Sequence, residues 1–135
     1  GANEELRAEL DQLAESCVCP VKVFGFVDNM HELISACDIA VTKSGGLTSS
    51  EILAKGKPIV VVDPIPGQEQ RNCDIMLEAG AAVRLYEVAD APYKIGALLN
   101  EPKRLKAMGD AAGNVGRPNS GAEILQDILR RASSE

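Results

Sequence analysis

The chain has no tryptophan, only two phenylalanines and two tyrosines in 135 residues, and a single histidine. So few aromatic rings cannot build the stacking platforms of a single-strand nucleic-acid binder. Cations are in the minority too: 14 Lys and Arg stand against 20 Asp and Glu, for a net charge of -6. A phosphate-neutralising surface needs the opposite balance, so nucleic acid is not an expected partner. The four cysteines contain no C-x2-C pair, and one histidine leaves little to complete a zinc shell, so no metal site is expected. Free thiols in a reducing compartment are the simpler reading. No apolar run approaches the roughly 18–20 residues that a membrane-spanning helix needs.

What is present is ordinary globular composition, 45% apolar and 25% charged, in a length that suits one domain spanning 1–135. The start, Gly1-Ala2-Asn3, has neither an initiator Met nor a signal-peptide pattern, which reads as a piece of something longer.

Periodicity alternates along the chain. Asn3 can cap a helix through Glu15, with Leu6, Leu10 and Leu13 on one face. Val21–Gly25 reads as a strand, and Asp28 opens a helix that places Met30, Leu33, Ile34 and Cys37 on one side. Ile39–Thr42 is the next strand, followed by a glycine pair and a helix from about Thr48 to Lys55. Pro58–Val62 is β-branched with almost no alternation, as in a strand covered on both faces. A helix around Gln70–Glu78, a fourth strand at Ala81–Leu85, and helices at Ala91–Leu99, Pro102–Ala112 and Ala122–Arg131 complete the pattern, the last within a carboxyl-terminal segment 114–135. Strands alternating with helices specify an α/β fold: a Rossmann-like parallel sheet with helices on both faces. A helix before any strand predicts that the first strand or two of such a half are missing.

Ligands of open parallel sheets bind at the carboxyl ends of the strands, where three loops carry the chemistry. Gly25–Asn29 follows the first strand. Lys43-Ser44-Gly45-Gly46-Leu47-Thr48-Ser49-Ser50-Glu51 is a strand–glycine loop–helix junction. Its glycines allow close approach to the backbone, its helix start offers free N–H groups, and hydroxyls of Ser44, Thr48 and Ser49 add donors, all suited to a diphosphate. The same residues also fit a tight turn with Thr48 as cap. Thr48 and Glu51 match a capping box, yet Glu51 is equally suited to vicinal ribose hydroxyls; the local pattern does not separate the two. In the third loop, Asp63–Asn72, two prolines and a glycine stiffen the backbone ahead of Gln68, Glu69, Gln70 and Asn72. Amides and carboxylates together suit the hydroxyls of a sugar, and the alternative is a solvated helix start. His31 reads as an exposed helix residue.

Together, Val21–Phe26, Met30, Ala36-Cys37-Asp38, Thr42-Lys43 through Glu51, and Pro64-Ile65-Pro66-Gly67-Gln68-Glu69 with Asn72 resemble the monogalactosyldiacylglycerol synthases and bacterial processive diacylglycerol glucosyltransferases. A looser similarity extends to the glycosyltransferase that makes lipid II. The resemblance covers roughly residues 3–113. It implies the carboxyl-terminal, donor-binding half of a GT-B glycosyltransferase, in which a hexose, galactose or glucose, passes from a UDP-sugar to diacylglycerol. Phe26 and Val27 would line the uracil pocket. Ser44, Gly45, Gly46 and Thr48 would meet the diphosphate, and Glu51 the ribose. Gln68, Glu69 and Asn72 would contact the donor sugar. No tightly bound cofactor is implied, the UDP-sugar being a substrate. The lipid acceptor, the membrane surface and the catalytic base would belong to the other half, so no catalytic residue is assigned here and the piece alone should not turn over. The implied setting is peripheral to a membrane, on a cytoplasmic or organellar-stromal face. Lys-Ser-Gly-Gly-Leu-Thr departs from the plant-type Lys-Ala-Gly-Pro-Gly-Thr toward the bacterial glucosyltransferases, which leaves the sugar open. A UDP-N-acetylglucosamine 2-epimerase-like enzyme shares the architecture and a Ser-Gly-Gly loop, although Pro-Gly-Gln-Glu argues against it. A non-enzymatic nucleotide-binding or receiver-like α/β domain is the third reading.

Overall fold

A computed structural model describes residues 2–133, and the chain divides into two compact units between Glu32 and Leu33. In the first unit, α1 spans Glu4–Ser16, and the Asn3 side chain accepts the Leu6 N–H at 3.0 Å, as the cap rule requires. Leu6, Leu10 and Leu13 are exposed. Residues 21–25 form no strand, which corrects the expectation there. A strand is a property of a pair, and in a Rossmann order the third strand bonds to the second; no strand lies between residues 2 and 20 to receive it. The helix expected from Asp28 begins later, as α2, Met30–Ala36, and the Asn29 amide donates to Glu32 Oε2 at 2.7 Å.

The second unit is built on three parallel strands rather than four: β1 Ala40–Thr42, β2 Ile59–Val62 and β3 Ala82–Leu85, in the order β1-β2-β3. Val41 lies beside Val60, and Val60 beside Val83, so the carboxyl ends of all three strands face the same way. The connections are α3, Gly46–Ala54, and α4, Gln68–Glu78. After β3 come a 3₁₀ turn at Val88–Asp90, then α5 Ala91–Leu99, α6 Pro102–Val115 and α7 Ser120–Ala132. The segment 114–135 is thus the end of α6, a turn and α7, and residues 134–135 lie outside the described residues.

The β-branched run of β2 fills the middle of the sheet. Ile59 and Val61 pack with Ile52, Leu53, Cys73, Met76 and Ala112, on the side of α3 and α4. Val60 and Val62 pack with Leu98, Ile95, Met108 and Leu105, on the side of α5 and α6. Ile59, Val60 and Val61 are fully buried, which stabilises the fold by about 1.5–3 kcal/mol each. Helices therefore cover both faces, as the lack of alternation requires. α6 closes against the end of α3, where a Cβ on Gly116 would lie 2.4 Å from the Leu53 carbonyl oxygen. α7 keeps its apolar stripe of Ile124, Leu125, Ile128 and Leu129 exposed.

Candidate donor-binding site

Both informative helices start two residues earlier than hydroxyl and amide caps suggest. α3 begins at Gly46 with Gly45 as N-cap, and α4 begins at Gln68 with Gly67 as N-cap; neither start has a side-chain cap. Thr48 is consequently the third residue of α3 and not its cap, so the capping box is not formed. The Glu51 side chain, exposed in the second turn, makes no hydrogen bond or ion pair among the described residues. The reading of Glu51 as a box partner is thereby corrected.

The glycine pair has no explanation in the fold. Neither Gly45 nor Gly46 has a positive φ, and Gly45, at φ -63 and ψ 144, is in a conformation open to any residue. A Cβ on Gly45 would have nothing nearer than Glu69 Oε1 at 4.0 Å, and one on Gly46 nothing nearer than Gln68 Nε2 at 3.9 Å. Gly67 is different, since its φ of 107 calls for glycine. The first intrahelical bond of α3 runs from the Ser49 N–H to the Gly45 carbonyl at 3.0 Å. That leaves the N–H groups of Gly46, Leu47 and Thr48 at the positive end of the helix without intrahelical acceptors.

Those two near neighbours, Glu69 and Gln68, come from the third loop. Parallel pairing of β1 with β2 sets the glycine loop and the Pro-Gly-Gln-Glu loop side by side. The Ser44 hydroxyl donates to the Glu69 carbonyl at 2.7 Å, and the Asn72 amide donates to the Ser44 carbonyl at 2.9 Å. Glu69 Oε2 accepts the Ile65 N–H at 2.9 Å, closing its own loop. Sequence reasoning missed these ties. It also missed the approach of Lys43 Nζ to Asp63 Oδ2, 4.0 Å apart across the strand ends, where Asp63 turns the chain at a φ of 38. An Asp closing a β-branched run was the available signal.

The expected site residues therefore sort by place. Gly45, Gly46, Thr48, Gln68 and Glu69 converge at the carboxyl ends of β1 and β2, with Glu51 one turn further along α3. Ser44 is fully buried beneath them, and Asn72 is half-buried on α4. Phe26, 85% exposed, and Val27, half-buried, belong to the first unit. His31 is exposed on α2. A wide concavity lies elsewhere: a cleft of about 830 Å³ at the amino ends of β1 and β2, lined by Asp38, Gly56, Lys57, Pro58 and the α6 face from Pro102 to Asn114. Size and topology disagree here. Topology decides, because parallel strands direct free helix starts to their carboxyl ends and not to their amino ends.

Cys73 is buried on α4, and burial raises its thiol pKa, with the Arg84 charge opposing and Asp74 adding to the rise. It belongs to the core.

The chain matches the model of the glycosyltransferase family 28 C-terminal domain over residues 1–124. It is 38% identical, over 96% of its own length and 33% of the other's, to a processive diacylglycerol beta-glucosyltransferase of Bacillus cytotoxicus. The protein of that name from Bacillus mycoides is 35% identical over 100% of this chain and 35% of its own. That from Bacillus cereus is 36% identical over 96% and 33%. The chain spans about a third of the length of these relatives. With its three-stranded Rossmann-like sheet and the family match over most of its length, the chain belongs to the glycosyltransferase family 28 C-terminal domains, the carboxyl-terminal half of a GT-B fold.

Proposed function

We propose that this domain holds the UDP-sugar donor of a hexosyl transfer to diacylglycerol, and that glucose is the hexose. The observation that carries the reading is the glycine pair. It is demanded by neither backbone nor packing, and it sits at an uncapped helix start facing Gln68 and Glu69. The absence of side chains there has a purpose if a ligand's diphosphate approaches the backbone. The names of the relatives support the hexose and the lipid acceptor, and the sheet supports a nucleotide at its carboxyl edge.

In this mechanism the N–H groups of Gly46, Leu47 and Thr48 and the dipole of α3 receive the negative charge that develops on the departing UDP. The Thr48 hydroxyl adds a donor. Glu51 accepts from the ribose hydroxyls, three residues on from Thr48 along the same helix face. Glu69 keeps Oε1 for a sugar hydroxyl while Ile65 holds Oε2, and Gln68 offers its amide beside it. The acceptor, the catalytic base and the contact with a membrane surface are assigned to the remainder of the full-length protein. Among the described residues no helix is long and apolar enough to cross a membrane, in keeping with a peripheral association.

Calorimetric titration of the 135-residue chain with UDP and UMP tests the diphosphate assignment. UDP is expected to bind at least tenfold more tightly, since only its second phosphate reaches the glycine loop. Equal affinities would remove the assignment.

A further inference from the structure

Ser44 and Asn72 make a pair of crossed hydrogen bonds. The side chain of the glycine-loop residue donates to the backbone of α4 at Glu69, and the side chain of the α4 residue donates to the backbone of the glycine loop at Ser44. These bonds, 2.7 and 2.9 Å long, join residues 25 and 28 positions apart in sequence. Ser44 has no exposed surface with which to touch a ligand, and its hydroxyl proton is already given to a carbonyl. The half-buried Asn72 amide gives one of its two hydrogens to the protein. A third bond, from the Ile65 N–H to Glu69 Oε2, fixes the carboxylate on its helix and turns Oε1 toward Gly45.

From this arrangement we infer that Ser44 and Asn72 are positioning residues: they form a strap that sets the span between the glycine loop and the Gln68–Glu69 pair. Their effect on the donor passes through Glu69 and not through contact of their own. The inference rests on the donor-site reading above and deepens it. The α3 helix start binds a diphosphate with one loop alone. A sugar attached to that diphosphate reaches Glu69 only if the two loops keep their spacing. The strap therefore discriminates nucleotide-sugar from nucleotide, and slackening it should cost the sugar's share of affinity while sparing the nucleotide's.

The test uses Ser44→Ala, which deletes one oxygen, and Asn72→Leu, which keeps the volume and removes the donor, each titrated well below its melting temperature. The probes are UDP and whichever of UDP-glucose and UDP-galactose binds the wild-type chain more tightly. Expected is a fall of at least fivefold in the ratio of UDP-sugar affinity to UDP affinity in both variants, with UDP affinity within about twofold of wild type. Because the strap acts through Glu69, adding Ser44→Ala to Glu69→Gln should lower that ratio no further than Glu69→Gln alone, the non-additivity expected of residues acting as a unit. A Ser44→Ala variant that weakens UDP and UDP-sugar by the same factor would overturn the strap and leave the donor-site reading standing. So would strictly additive losses with Glu69→Gln. A wild-type chain that binds neither probe would overturn both.

Discussion

Replacing Gly46 by alanine should separate stability from binding. Gly46 is the first residue of α3, has no positive φ, and has space for a methyl group with Gln68 Nε2 3.9 Å away. Alanine there restricts the unfolded chain and favours the helix, a gain of about 0.4–1 kcal/mol for an unstrained site. At a helix end the lower figure applies, and about 0.5 kcal/mol raises the melting temperature by roughly 2 °C in a chain of this size. The same methyl group would stand where the diphosphate must approach. Losing one charge-assisted N–H contact costs about 1.5–3 kcal/mol, or roughly 10- to 100-fold in affinity for UDP. Thermal melting and calorimetry on one protein preparation measure both effects. A variant that melts several degrees lower would show that the glycine serves the fold. One that binds UDP as tightly as wild type would show that nothing approaches the backbone there.

Glu51→Gln should weaken UDP by about 1–3 kcal/mol and leave the melting temperature unchanged, because the carboxylate caps nothing; lower stability with unaltered binding would restore the capping role. Gly116→Ala should destabilise by about 2 kcal/mol or more in a denaturant titration, since its Cβ would fall 2.4 Å from the Leu53 carbonyl, and an unchanged midpoint would contradict the packing of α6 on α3. Cys17 and Cys19, both exposed, should react with a maleimide well before the buried Cys73, which mass spectrometry of partly labelled chain would resolve. Burial raises the Cys73 pKa above its ordinary 9.0, so the folded chain keeps a proton that the unfolded chain releases. That contribution is fully present below pH 9.0 and is lost as pH rises through the folded value, so an Ala replacement should flatten the alkaline fall in stability.

Most of the helices and the sheet were readable because their signals are local. Pro92 in a first turn and the apolar spacing of 91–99 match α5 residue for residue. The apolar run of β2 announced its two covered faces. The failures are of another kind. A strand at 21–25 needs a partner that no local pattern supplies. The starts of α3 and α4 shifted because glycine served as cap at both, where hydroxyls and amides further along promised a later beginning. α6 runs past Gly113 to Val115, its last turn closed by the Gly116 N–H on the Ala112 carbonyl at 2.9 Å, so that Gly113 does not terminate the helix. The site divides in the same way. Its residue types and loops were legible, as each sits beside its own strand. The burial of Ser44, its bond to Glu69 and the meeting of Gly45 with Glu69 were not, because strand register brings together residues about 25 positions apart.

The central claim is that a nucleotide diphosphate sits on the start of α3, and amide NMR of the isotopically labelled chain during a UDP titration tests it directly. The backbone signals of Gly45, Gly46, Leu47 and Thr48 should move in a saturable way, with Gln68 and Glu69 following when the UDP-sugar is used. Shifts centred instead on the cleft of Asp38, Gly56 and Asn114 at the opposite end of the sheet, or no shifts at millimolar UDP, would contradict it.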